Sequence, residues 1–242
     1  MITVAVLALN EEKFLSKTID TMLEAAALAG NIPLEIIIVN DGSTDGTAEV
    51  IQRLQARHPF IRSIHHAQNQ GLGVGARESI KLAKYPKIIF APGDNDLPKE
   101  LLTQLFLNIN KADLILAYYM NMKQRGWFRN GLSRIYTFIY QRTFNVPIRY
   151  INSPCIYPTQ GLRSINIRSN RFGFSAEMTI KMLCLGCTFY QVPGYRQLES
   201  SPSRSISLKN LNEVADVFLN LVYEIKISGR NIFNHHPVEI FK

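Results

Sequence analysis

The sequence predicts an α/β protein built on a mostly parallel, doubly wound sheet with flanking helices, and three observations predict it. The runs Leu34 to Val39 (LEIIIV) and Lys87 to Ala91 (KIIFA) are apolar without alternation, so both faces of each strand must be covered. Stretches of helical length and spacing separate such runs, as parallel strands require. The two runs end in Asn40 to Thr47 (NDGSTDGT) and Pro92 to Asp96 (PGDND), polar, Gly-containing breaks at the strand ends where open α/β sheets bind ligands.

The elements follow in order. Thr3 to Leu9 reads as the first strand and Glu11 to about Gly30 as a helix. After the second strand, Thr47 to Arg57 is helical, Ile61 to Ile64 a weak strand and Gly75 to Lys84 a helix. Lys87 to Ala91 is followed by a helix over Pro98 to Asn110, with proline at its start, and by a strand over Asp113 to Tyr118. Beyond Tyr118 the texture changes. Lys123 to Phe144 mixes basic and aromatic residues at helical spacing, and Ile148 to Leu162 reads as irregular. Ser175 to Leu185 is a helix closed by Gly186, Thr188 to Val192 a strand, Tyr195 to Lys209 a basic loop and Leu211 to Ile227 the last helix. No repeat or linker divides the chain. The expectation is a single domain over 1–242, with a nucleotide-binding half (1–118) and an acceptor-facing half (119–242).

With 242 residues and 46% apolar content, the chain can bury a sizeable core. No apolar run reaches the roughly 18–20 residues of a membrane span. Met1 to Leu9 lacks the basic flank of a signal peptide and runs straight into Asn10, Glu11 and Glu12. Three cysteines argue against a disulfide scaffold and fit a reducing compartment, so a cytoplasmic location is expected. Lys and Arg number 27 against 19 Asp and Glu, a formal net charge of +8 that suits an anionic partner. No nucleic-acid recognition motif accompanies that charge, so nucleic acid is not expected.

Asp94 and Asp96 stand one residue apart just past a buried strand. Two such carboxylates repel unless a cation lies between them, and a divalent metal with oxygen ligands answers that need. In Asn40 to Thr47, small residues allow a sharp turn and offer backbone N–H groups at a helix start, while Asp41 can accept hydrogen bonds from a base or ribose. Asn69 to Ala76 (NQGLGVGA) contains G-x-G-x-x-A, the outline of a dinucleotide-binding turn. The strand before it is weak, and that reading would leave Asp41 and Asp96 unused. A tight turn that lets the helix pack closely is the simpler account. Cys184 and Cys187 (C-x-x-C) have no second ligand pair at zinc spacing and are expected to face the core. The pairs His65-His66 and His235-His236 read as surface residues.

Taken together, LALNEE, VNDGSTDGT, NQGLGVGA and GDNDLP resemble the family 2 glycosyltransferases of the GT-A fold. The later FGFSAEMTIKMLCLGCTFYQVPGYR is most similar to the dolichyl-phosphate mannosyltransferase branch and its polyprenyl-phosphate relatives. The resemblance covers about Thr3 to Arg204. It implies that Glu11 and Asp41 hold the nucleoside of a GDP- or UDP-sugar and that Asp94 and Asp96 hold Mg²⁺ or Mn²⁺ on its diphosphate. It further implies that Glu177 is an acidic residue near the acceptor and that Arg204 belongs to a loop covering the donor phosphates. The chain departs from the family pattern at Leu7, Leu9 and Asn40, and at Asn152 to Ile156 (NSPCI).

The function this implies is metal-dependent, inverting transfer of a sugar to a polyprenyl (dolichyl-type) phosphate, with a glycan hydroxyl as the alternative acceptor. In that scheme Asp96 serves catalysis through the metal, and Glu177 is the candidate general base for a hydroxyl. A binding protein without catalysis is the alternative of another class, and the intact Asp94 and Asp96 speak against it. Residues 123–149 interleave arginines with Trp127, Phe128, Ile135, Phe138 and Ile139, the pattern of a helix lying at a membrane surface. Packing of that helix on the sheet, or of two chains through the same face, are the competing expectations.

Overall fold

A computed structural model describes residues 1–121, 127–195, 208–228, 233 and 235–241. Strand β1 (Ile2–Ala8) is buried along its whole length and lies parallel between β2 (Leu34–Asn40) and β4 (Lys87–Pro92). The short β3 (Ile61–His65) extends the sheet beyond β2. On the other side β6 (Cys155–Pro158) runs antiparallel between β4 and β5 (Leu114–Tyr119), and β7 (Phe189–Gly194) pairs parallel with β5. The seven strands stand in the order β3-β2-β1-β4-β6-β5-β7.

The two-residue period of each strand divides the apolar side chains between two layers. Val4 and Val6 point to one face, where they meet Leu15, Ile19 and Met22 of α1 (Leu15–Leu28), Val50 and Leu54 of α2 (Thr47–Arg57) and Leu102 and Phe106 of α4 (Lys99–Leu107). Ala5 and Leu7 point to the other. There they join Ala76 and Ile80 of α3 (Leu72–Leu82), Tyr140 and Phe144 of α5 (Trp127–Phe144), Leu162 of α6 (Thr159–Ser164), Ile180 and Leu183 of α7 (Phe174–Cys184) and Leu221 of α8 (Leu208–Val222). A π-helical turn, Tyr223–Ile227, continues α8. Covering both faces is what the unbroken apolar strands demand. This is the mostly parallel, doubly wound sheet read from the sequence.

Three local expectations are corrected. The first helix starts at Leu15 rather than Glu11, because Asn10 takes a left-handed φ of 59° and Glu11 to Phe14 form a turn, with Glu11 O accepting from the N–H of Leu15. The third starts at Leu72 rather than Gly75, since Gly71 at φ 101° supplies the left-handed residue on which it begins. Cys155–Pro158 is a strand where an irregular stretch was expected. It pairs over only a few residues on either side, sits between Pro154 and a closing proline, and is buried too evenly to show a period.

Candidate active site

The register lines up the ends of neighbouring strands: Ala8 beside Asn40, Leu7 beside Pro92, and Asn40 beside His65. Four motif segments therefore leave the sheet at one rim. Two of them are laced together by hydrogen bonds. The N–H of Asn10 donates to Ser43 Oγ at 2.9 Å, and Asn10 Oδ1 accepts from the N–H of Thr44 at 2.8 Å. The N–H of Glu11 donates to Thr47 Oγ1 at 2.9 Å, and Glu12 Oε2 accepts from the N–H of Gly46 at 3.1 Å. Burial works to raise the Asp45 carboxyl, but the Thr47 hydroxyl and N–H, with the N–H of Glu12, outweigh it and hold that carboxyl below the ordinary range.

Glu11 lies over Gly93: a Cβ on that glycine would sit 3.1 Å from Glu11 Cγ and 3.2 Å from Ala8 Cβ. Gly93 is pinned in turn, its N–H on Leu7 O at 2.9 Å and its carbonyl accepting from Thr18 Oγ1 at 2.7 Å. Asp94 follows directly, so the structure brings Glu11 and the two aspartates to one corner. Asp94 Oδ1 accepts the N–H of Asp96 at 3.1 Å across Asn95, which is left-handed at φ 58°. That turn holds two carboxylates on either side of a buried amide whose Oδ1 has no hydrogen-bond partner among the described residues. Among those residues no group of three or more His, Cys, Asp or Glu could hold a metal alone. Two carboxylates and an amide oxygen fit a hard divalent cation that takes its remaining oxygens from substrate phosphate and water, as Mg²⁺ commonly does.

Asp41 is differently placed. It is buried, its Oδ1 accepts from the N–H of Gln70 at 2.8 Å and its Oδ2 from the N–H of Gly71 at 2.9 Å. His66 Nδ1 lies 2.7 Å from Oδ1, and His66 Nε2 lies 2.8 Å from Glu78 Oε2. His66 is thus not the surface histidine expected from the sequence: its side chain is only 4% exposed. Burial works against protonation there, but the two carboxylates outweigh it and raise the imidazole above its ordinary range. Position was the signal available for it. A residue one past a strand parallel to the others must stand at the same rim.

The glycines of NQGLGVGA serve packing. A Cβ at Gly71 would lie 2.2 Å from Asn170 O, one at Gly73 2.0 Å from Ser169 O, and one at Gly75 2.8 Å from Val39 Cγ1. They let the start of α3 press against the 166–171 segment and β2. Arg77 of α3 clasps that segment by donating to the carbonyls of Ile167 and Ser169.

Glu177 does not match its expectation as a general base. It is 3% exposed, and its oxygens accept from the N–H groups of Arg168 and Ser169 and from Lys181 Nζ at 2.8 Å. Lys181 also lies 2.9 Å from Glu224 Oε2, giving a buried carboxylate–ammonium–carboxylate row. A carboxylate so enclosed cannot reach an acceptor hydroxyl. Arg204 lies outside the described residues, as do Lys123 and Arg125.

On α5, Tyr140 and Phe144 pack on Phe218 of α8, while Ile135, Phe138 and Ile139 are exposed on the outer face, with the Arg142 guanidinium over the Phe138 ring. Among the described residues no helix is long and apolar enough to cross a membrane. Cys184 and Cys187 are free thiols, Cys184 buried and Cys187 half-buried, and burial pushes each up to about 11.

Comparison with known proteins places this arrangement. An uncharacterized glycosyltransferase of Escherichia coli (strain K12), YibD, is 32% identical over 84 residues, 35% of this chain and 24% of that protein. A dolichyl-phosphate beta-glucosyltransferase of Trichomonas vaginalis is 31% identical over 96 residues, 38% of this chain and 28% of that one. The matched stretches thus span about a quarter of the length of these relatives. The crystal structure of glucosyl-3-phosphoglycerate synthase from Mycobacterium tuberculosis, in complex with Mn²⁺, UDP and phosphoglyceric acid, superposes with a TM-score of 0.65 at 18% identity, over 96% of this chain and 80% of that one. That likeness shows the fold. The model of glycosyl transferase family 2 matches residues 3–167, which take in all four rim segments, and the chain belongs to that family.

Proposed function

We propose that this chain transfers a sugar from a nucleoside diphosphate sugar to a polyprenyl phosphate at a membrane surface. The Asp94–Asn95–Asp96 turn, set beside Glu11 at the rim where β1, β2 and β4 end, is the observation that carries the donor half of this reading. The solved relative bound Mn²⁺ and UDP, the ligand pair that such a turn suits. Glu11 and the 40–47 loop face the nucleoside, and Asp94 and Asp96 hold Mg²⁺ or Mn²⁺. When bound, that ion offsets negative charge on the leaving diphosphate. Residues 1–118 serve the donor, and 119–242 face the acceptor.

In the reaction, an acceptor oxygen forms a bond to the anomeric carbon from the side opposite the diphosphate. The bond from that carbon to the diphosphate oxygen breaks, and the nucleoside diphosphate leaves with the electron pair. The enclosure of Glu177 supports a phosphate acceptor over a glycan hydroxyl. A hydroxyl needs a base, whereas a phosphate monoester, with a second pKa of about 6, is already ionised at neutral pH. The exposed Ile135, Phe138 and Ile139, with Arg134 and Arg142 exposed on the same helix, support contact with an anionic bilayer.

The test is transfer of radiolabelled sugar from UDP- and GDP-sugars to a short polyprenyl phosphate, with Mg²⁺ or Mn²⁺. Asp96→Asn is expected to abolish transfer with the fold intact, because Asp96 stands at the rim rather than in the core. Undiminished transfer in excess chelator would remove the metal from the scheme, and transfer to a glycan but not to the lipid would replace the acceptor.

A further inference from the structure

His66 is not accounted for by the chemistry above. Its two ring nitrogens each face a carboxylate oxygen, Asp41 Oδ1 at 2.7 Å and Glu78 Oε2 at 2.8 Å. A neutral imidazole has one N–H and one lone pair, so it satisfies one of these contacts and sets the other against a like-charged lone pair. Only the imidazolium donates to both. His65, next to it at the strand end, does not share these carboxylates, since its ring nitrogens turn to Asn40 and Ser63.

What His66 steadies is Asp41, which caps the N–H groups of Gln70 and Gly71. That turn leads straight into α3, where the N–H of Gly73 donates to Asn170 O at 2.9 Å. The far side of the same Asp41 backbone is held by β1, its N–H on Ala8 O at 2.9 Å. A single carboxylate therefore couples the 41–47 loop to the 70–73 turn, and its charge is balanced by one buried cation.

We infer that His66 is a positioning residue of the donor pocket: as an imidazolium bridging Asp41 and Glu78 it fixes the Gln70–Gly71 turn against the 41–47 loop, and nucleotide binding weakens as His66 loses its proton. The inference rests on the donor reading given above. Deprotonation breaks a charge-assisted hydrogen bond and leaves Asp41 and Glu78 facing an uncharged ring, so Asp41 is held less firmly and the turn it caps loosens against the loop that faces the nucleoside. The imidazole's raised titration range places this change above the ordinary histidine range.

The experiment measures UDP and GDP affinity with Mg²⁺ by calorimetry from pH 7 to 9.5, where the terminal phosphate, with its second pKa of about 6, is ionised throughout. His66 is followed in the same samples by the NMR shift of its ring carbon. Wild type should lose on the order of tenfold in affinity across the His66 titration, the scale of one charge-assisted hydrogen bond. Glu78→Gln removes the partner at the rim, lowers the His66 midpoint, and should carry the affinity midpoint down with it. Glu78→Asp should restore both toward wild type. A merely structural histidine predicts an affinity that does not follow the NMR midpoint, and an affinity flat through the titration overturns the inference. If neither nucleotide binds wild type at any pH, the donor reading fails and takes this inference with it. Binding that ignores pH defeats the inference alone.

Discussion

Lys181 Nζ lies 2.8 Å from Glu177 Oε1, one helical turn apart on α7, and both side chains are sealed from solvent. The same ammonium reaches Glu224 in the π-helical turn and the carbonyl of Asn166. Through Glu177 the row fixes the N–H groups of Arg168 and Ser169, and so the segment against which the start of α3 rests. Lys181→Met is expected to cost about 3–5 kcal/mol, the usual effect of stranding a buried charge. Combining it with Glu177→Gln and Glu224→Gln should recover much of that loss. Urea unfolding of the single and triple variants checks the pair of outcomes.

Gly73→Ala places a methyl 2.0 Å from Ser169 O, a backbone atom held by Arg77. The expected cost is about 1–3 kcal/mol, as for other overpacked sites. Nucleotide affinity should fall with it, because the 70–73 turn must move to relieve the contact. Thermal unfolding and calorimetry on one sample read both.

Stability should depend on pH through His66. Its folded-state titration is raised above that of the unfolded chain. Its contribution is therefore fully present below about pH 6.5, the unfolded value, and is lost as pH rises through the folded one. Glu78→Gln should flatten that decline. Denaturation midpoints at half-unit steps from pH 6 to 9.5 measure it.

The thiols of Cys184 and Cys187 should be slow to alkylate. With each pushed up to about 11, the thiolate is on the order of 0.1% of the total at pH 8. Iodoacetamide labelling in native buffer, followed by mass spectrometry, should find both unmodified while an unfolded control reacts. Rapid native labelling would contradict the burial that sets them.

The outer face of α5 predicts salt-sensitive flotation with vesicles of phosphatidylserine and phosphatidylcholine. Ile135→Asp and Phe138→Asp should abolish it, since both side chains are exposed and neither supports the core. Arg142→Ala should weaken it by about 1 kcal/mol, the worth of one basic residue near an anionic surface. A protein that stays unbound at every lipid composition would leave the exposed stripe to contacts between chains.

The sequence revealed what depends on strong local patterns. LEIIIV and KIIFA announced buried parallel strands, and α2 has its predicted bounds. The corner formed by Glu11, Asp94 and Asp96 was legible because each residue lies within four positions of the end of a strand, Ala8 or Pro92. What stayed hidden was set by contacts distant along the chain. His66 looks like any exposed histidine until Asp41 and Glu78 are folded onto it from 25 and 12 residues away. Glu177 was read as acidic chemistry near the acceptor because nothing local shows that a turn 47 residues on will close over it and its helical neighbour Lys181. The four-residue β6 has too few positions to display a period at all.

The antiparallel β6 has a consequence for how the chain can be assembled. It sits between β4 and β5, yet it is made after both. During synthesis β4 and β5 must wait, hydrogen-bonding edges open, until Cys155–Pro158 emerges some 36 residues after Tyr119 and slots between them. At translation speeds of about 5–20 residues per second that interval lasts a few seconds, during which an unpaired apolar edge is a hazard for self-association. A fragment cut at 118 keeps that edge permanently, so residues 1–118 should be insoluble when produced alone, and shortening the chain from that side of β6 is a poor route to a smaller folded unit.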